Sequence, residues 1–422
     1  MDFQIPYDMG KQFLHVDMVN IAGVINARVD EYVPEETAEE LIQNALENPI
    51  DSPRLRDLAV GKNKIVIITS DHTRSVPSII TLPILLNEIR TGNPEADITI
   101  LIATGGHRAT TVEEQKHMFG ERIVTNEKIA INNADNPDDF EYMGKLPSGA
   151  DFYLNKIAAH CDLLISEGFV EPHFFAGFSG GRKSILPGVC NNTTISQNHS
   201  YMALSSPYAT AGVVENNPVH KDMVFAARQA KLQFILNVTL NSEKHVTAAF
   251  AGDMERAHEK AIEFVRSISQ CDPIVSDIVV TSNGGYPLDQ NLYQGPKAIA
   301  TAELCCRDGG VIIMCCGCRD GFGGENFQKL MQMGTPEEVD KYLASIPPEN
   351  TIPQQWCVQK FIHAQLNYKV ILVTENLSRE DVEKANMLLA HTPNEALEMA
   401  YEMLGHDAKV TVIPDGVAVL IN

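Results

Sequence analysis

A surplus of basic residues is missing from this chain. The formal net charge is −22 over 422 residues. That excludes a nucleic-acid surface, which needs a basic patch. An acidic substrate must instead meet a local cluster of Arg, Lys and His. No apolar run is long enough to span a bilayer. Met1-Asp2-Phe3-Gln4-Ile5-Pro6-Tyr7-Asp8 lacks a basic start and an apolar centre, so it does not read as a signal peptide. The 9 cysteines, an odd count without a signal, fit reduced thiols and a cytoplasmic location. No H-E-x-x-H occurs among the 13 histidines. Cys305-Cys306 with Cys315-Cys316 and Cys318 fit neither paired zinc motifs nor a ferredoxin pattern, and read as small buried hydrophobes. The spaced GxGxxG with a ribose-binding acid is also missing, which disfavours ordinary NAD binding. Low-complexity segments and short repeats are absent.

What is present is an ordinary globular composition, 44% apolar and 21% charged. The length suits two domains, or a large one with a small one. Pro34 to Asn48 reads as a helix with Leu41, Ile42 and Leu46 on one face. Lys64–Ser70, Asp97–Ala103 and Asp162–Ser166 are continuous apolar runs of the kind buried on both faces. Leu232–Leu240 reads as another strand and Arg256–Ile268 as a helix. The pattern resets near Ser269–Pro273, then gives strands at Ser276–Ser282, Gly310–Met314 and Lys369–Thr374. Lys409–Ile421 reads as two strands about Pro414-Asp415-Gly416. Met1 to Val29 reads as edge strands of the first sheet.

This alternation predicts an α/β protein of two domains, each a mainly parallel sheet flanked by helices. The expected division is residues 1–270, then 274–405, with terminal strands at 406–422 returning to the first domain. Ligands in such sheets bind at the carboxyl ends of strands. Polar clusters fall there: Asp71-His72-Thr73-Arg74, Thr104-Gly105-Gly106-His107-Arg108, Glu171 to Lys183, and Asn283 to Lys297. Together they point to one active site in an interdomain cleft.

The richest stretch runs from Glu171-Pro172-His173 through Gly177, Gly180 and Gly181 to Arg182-Lys183-Ser184. Loop N–H groups followed by Arg182 and Lys183 can hold an anion such as phosphate. Lys183 is either a point charge for it or a covalent anchor. His107 and His173 can act as paired acid and base, since imidazole titrates near neutrality. The competing reading of each is a structural histidine. His199, in Gln197-Asn198-His199-Ser200, is a third candidate, set against a solvated loop histidine. Arg74 can pair with a carboxylate, and Asp71 can hold that arginine or orient a histidine. His72 reads as packed or capping. Phe174 and Phe175 read as pocket walls. Phe178 and Trp356 read as core.

In order and spacing, Ser70–Arg74, Thr104–Arg108, Glu171–Ser184, Asn198-His199 and Asp289–Lys297 resemble the nickel-pincer lactate racemase family over nearly the whole chain. The resemblance implies a nickel-pincer nucleotide, a pyridinium-3,5-bisthiocarboxylic acid mononucleotide that binds nickel through a carbon and two sulfurs. It implies Lys183 as the covalent tether, His199 as nickel ligand, and His107 and His173 as the catalytic pair. Asp71, His72, Thr73 and Arg74 would lie beside the cofactor. Arg74, Gln294 and Lys297 would contact substrate. The implied activity is racemisation of a small 2-hydroxy acid, lactate first. Malate, larger aliphatic and sugar acids are the alternatives. Implied partners are that substrate and the proteins that build the cofactor and insert nickel, with no nucleic acid and no membrane. Two other readings compete: a zinc- or NAD-type hydroxy-acid enzyme, and a non-catalytic phosphate or nucleotide carrier.

Overall fold

The computed structural model describes residues 1–421. Two six-stranded sheets organise it. The first has the order 246–252, 232–240, 163–169, 64–70, 97–103, 128–131. All its pairings are parallel except that of the outermost strand, Val246–Gly252, with Leu232–Leu240. The second has the order 388–390, 369–373, 306–315, 276–282, 410–413, 21–24, and is parallel throughout. Helices flank both sheets. The central strands Lys64–Ser70 and Leu163–Phe169 are buried almost end to end, as apolar runs between two helix layers must be. No helix among the described residues is long and apolar enough to cross a membrane.

Two strand placements need correction. Ile21–Val24 lies at the edge of the second sheet, not the first, beside Val410–Ile413. Asn20 accounts for this, because its side-chain amide donates to the carbonyls of His406 and Ala408. The hairpin Asp2–Tyr7 with Gly10–His15 follows it, placing Ile5, Tyr7 and Leu14 in the core around Ile278, Val280 and Val311. Val410–Ile413, expected in the first domain, pairs with Ser276–Ser282 in the second sheet. Only Leu420–Ile421 turns back, to pair with Gln270–Cys271. The first helix begins at Ala38 rather than near Pro34. Thr37 caps it, accepting from Glu40 N while Glu40 accepts from Thr37 N.

In the first sheet the chain runs from 64–70 outward through 97–103, then returns to 163–169 on the other side. The switch point therefore lies between 64–70 and 163–169, where the segments Asp71–Arg74 and Glu171–Lys183 emerge. Glu167 ties this region together. Its buried carboxylate accepts from Thr69 Oγ1 at 2.6 Å, Ser78 Oγ at 2.5 Å and Thr81 Oγ1. Helix Ser78–Gly92 has no side-chain cap of its own. A carboxylate at its start suits the helix dipole. It also fixes the far end of the connection that carries Asp71 and Arg74.

Replacing Glu167 with Ala removes the buried acceptor shared by three hydroxyl groups and leaves them only longer contacts, Thr69 with Ser78 and Thr81 with Pro77 O, each at 3.3 Å. The expected loss is about 3 kcal/mol, read from the urea unfolding midpoint. A loss below about 1 kcal/mol would show that Glu167 is not the tie described.

Candidate active site

A cavity of about 800 Å³ opens where the carboxyl ends of the two sheets face each other. Such a volume lies within the roughly 300–1,000 Å³ usual for small-molecule sites. Asp71, His72, Thr73, Arg74, His107, His173, Lys183, His199, Gln294 and Lys297 all line it. The first sheet supplies the first eight and the second sheet's loops supply Gln294 and Lys297. Phe174 and Phe175 form part of its wall, as expected.

His107 follows the turn at Gly105 and keeps its ring 33% exposed at the rim. Its Nδ1 lies 2.8 Å from Asp71 Oδ2. Thr73 N and Oγ1 donate to Asp71 Oδ1 at 3.0 and 2.6 Å. Burial alone would raise the Asp71 carboxyl, but the charge of His107 and these hydrogen bonds outweigh it and bring it down to about 2. An ionised Asp71 fixes the His107 proton on Nδ1 and leaves Nε2 free as a base. His72 turns toward Thr110, 3.2 Å away, and Glu114, 3.8 Å away.

His173 lies deeper and is buried. It stacks on Phe174 and meets the edge of Phe175. The Ala176 N–H donates to His173 Nδ1 at 3.3 Å. The ring proton then sits on Nε2, 3.2 Å from Lys183 Nζ. Burial holds Lys183 well below the usual lysine range, and the charges of Arg182, Arg74 and Lys297 add to it. An uncharged amine can accept from Nε2, so the two groups are mutually satisfied. Burial first, then Lys183 and Lys297, likewise keep His173 far below neutrality.

His199 caps the C-terminus of helix Asn192–Asn198. Its ring is boxed by Phe175 and Trp356, at centroid distances of 4.9 and 5.1 Å. Burial and Lys183 pull it down to about 3, leaving a neutral imidazole. Its Nδ1 and the Nζ of Lys297 are both buried without a hydrogen-bond partner among the described residues. Lys297 is drawn down to about 7 by burial and by Arg74. No group of three or more His, Cys, Asp or Glu able to hold a metal occurs among the described residues.

Two readings of the sequence change here. Trp356 is a wall residue rather than core, and its Nε1 donates to Tyr293 Oη at 2.7 Å. Tyr293 and Cys357 join it in the lining. Tyr293 was within reach of the sequence, because it adjoins Gln294. Arg182 does not hold an anion in the cavity, since it turns into the core and donates to loop carbonyls. The N–H groups of Ser179, Gly181 and Lys183 are likewise spent within the fold, on Glu171 O, Asn237 Oδ1 and Gly180 O. Gly181 is required, because at φ +50° a Cβ would stand 2.7 Å from the His258 ring. The cysteines from 305 to 318 are free, buried thiols, as read.

Histidine-ring NMR of the ligand-free protein should find His173 and His199 still neutral at pH 5, from the directions and causes above. Titration of either near pH 6.5 would mean that water reaches the cavity floor.

Residues 7–212 match the lactate racemase N-terminal domain family and residues 271–421 the lactate racemase C-terminal domain family. A lactate racemase of Thermoanaerobacterium thermosaccharolyticum is 47% identical over 100% of this chain and 99% of its own length. One from Lactiplantibacillus plantarum is 46% identical over 99% of each. The structure superposes on the T. thermosaccharolyticum lactate racemase apoprotein with a TM-score of 0.96, at 46% identity and full coverage of both chains. A Thermotoga maritima crystal structure shares the fold alone, at TM-score 0.68 and 18% identity, covering 93% of this chain and 99% of that one. Fold, cavity and sequence therefore agree, and this chain belongs to the lactate racemase family.

Proposed function

We propose that this chain interconverts the enantiomers of a small 2-hydroxy acid, D- and L-lactate, using a nickel-pincer nucleotide tethered to Lys183. One observation carries the reading: the lysine, three histidines and unpaired cations line a single cavity. The residues present fit such a group. Lys183 offers an uncharged amine for the tether. His199 offers an unpartnered Nδ1 for the metal. Asp71, His72, Thr73 and Arg74 border the same space. Bound there, the cofactor supplies a hydride acceptor, which removes the need to abstract a very weakly acidic Cα proton.

The chain's own residues handle the substrate's charge and its hydroxyl proton. Arg74, Gln294 and Lys297 hold the carboxylate; the bare Lys297 ammonium gains the partner it lacks. His107 takes the hydroxyl proton at Nε2 while Asp71 stabilises the resulting imidazolium. Loss of the Cα hydride leaves a planar 2-oxo acid. Reaction on the other face would need a second acid/base group on that side, and His173 would fill that part, as base for one enantiomer and, once protonated, as acid for the other. Strands 97–103 and 163–169, which lead to the two histidines, flank strand 64–70 on either side. Two hands of product call for donors on two sides. Loading depends on partner proteins that assemble the cofactor and insert nickel.

Protein made alongside that machinery should contain about one nickel per chain and added mass on the Lys183 peptide. Chiral chromatography should then show L-lactate converting to D-lactate. His107→Ala and His173→Ala should each lower kcat by about 100-fold or more at unchanged nickel content. Full nickel occupancy without interconversion of any acid in a 2-hydroxy-acid panel would sink the proposal.

A further inference from the structure

Arg182 is 1% exposed and heads the largest fully buried side chains of the protein. Among the described residues no carboxylate pairs with it, and burial draws its pKa down to about 9. An unpaired buried cation is expensive to maintain, so its surroundings must compensate. Nη2 donates to Ala176 O at 2.7 Å. Nη1 donates to Phe178 O at 2.7 Å and Gly180 O at 3.2 Å. Nε donates to Nδ1 of His220 at 3.1 Å. His258 completes the enclosure, with Nε2 donating to Ser179 O at 2.7 Å. The guanidinium thus gathers the carbonyls of one loop onto a single centre. That loop joins His173 to Lys183.

Neither Arg182 nor His220 lines the cavity, so any effect passes through other groups. Two links are visible. Ala176 is gripped at its oxygen by Arg182, and its own N–H sets the His173 ring. Lys183 follows Arg182 in the chain, and its N–H donates to Gly180 O, itself held by the guanidinium. His220 is oriented independently, by helix Pro218–Gln229, whose N-cap Asn217 accepts from His220 N. From that helix it presents a lone pair to Nε and fixes the plane of the fork.

We infer that His220 and Arg182 are positioning residues: together they hold the glycine-rich loop so that His173 and Lys183 face the same point in the cavity. This rests on the parts given above to those two residues. It predicts that the acceptor at position 220, rather than the bulk there, is what matters.

The test compares His220→Asn, which keeps an acceptor near the Nδ1 position, with His220→Leu, which removes it and keeps the volume. In apoprotein, hydrogen exchange of the 172–184 peptide should quicken about tenfold in His220→Leu and stay near wild type in His220→Asn. In protein made with the cofactor machinery, tethering at Lys183 should fall in His220→Leu. The kcat per bound nickel should fall about tenfold with KM within about twofold, because the carboxylate-holding residues sit on other loops. If His220→Leu does not fold, His220→Ala against His220→Asn carries the same comparison. Equal impairment of both variants would reduce His220 to packing and overturn the inference. So would wild-type exchange and wild-type kcat in His220→Leu. A wild-type chain that takes up no nickel and racemises nothing would defeat the racemase reading instead, while the apoprotein exchange still decides the positioning.

Discussion

The site is shaped by cationic side chains placed in one cavity whose ionised carboxylate, Asp71, is in contact with His107 rather than with them. Arg74, Lys183 and Lys297 converge there in a protein of net charge −22. Phe174, Phe175 and Trp356 wall the cavity beside His173 and His199. Each ammonium loses hydration and feels the next positive charge, and both effects favour the neutral amine. Lys183 becomes an acceptor for His173 rather than a donor to solvent, and Lys297 is left bare. Such a site is unfavourable while it holds no anion.

The fold makes that concentration of charge tolerable by sharing it between two sheets. A single parallel sheet offers one crevice at its switch point. Here the crevice of the first sheet carries Lys183 and four histidines, His72, His107, His173 and His199, while the second sheet brings Gln294, Lys297 and Trp356 to face it. Loops that emerge from rigid strand ends hold their geometry better than free loops do. Glu167 reinforces one of these ends and Arg182 the other. Both are buried ionisable groups satisfied by neutral partners, hydroxyls in one case and carbonyls in the other.

The parts of this plan that depend on local composition were legible in the sequence. Strands 64–70, 97–103 and 276–282 were readable because each is built on a run of β-branched and apolar residues between polar stops. The polar clusters at their ends were equally plain. Non-local choices were not legible. Alternation in residues 21–24 says that a strand exists and nothing about which sheet it joins; that is settled by Asn20 bonding to a segment nearly the whole chain away. Trp356 reads as core because a lone aromatic is more often packed inside than set at a site; it sits in the first turn of helix Gln355–Asn367. The helix starts after Gln354, at φ +75°, a left-handed conformation that no sequence rule assigns to glutamine.

Arg182 and Lys183 make the same point within two residues. Adjacent cations in a glycine-rich loop look interchangeable as anion ligands. The short helical turn at Gly181–Ser184 separates them, sending one side chain to the core and its neighbour to the cavity. Arginine suits the inward place because its fork reaches several carbonyls at once and tolerates burial while charged. Lysine suits the outward place because burial can strip its proton and leave a nucleophile, which a guanidinium cannot become. Exchanging the two would keep the loop's charge but take the amine out of the cavity and the fork away from the carbonyls. The order of this pair is therefore as much a part of the site as the histidines are.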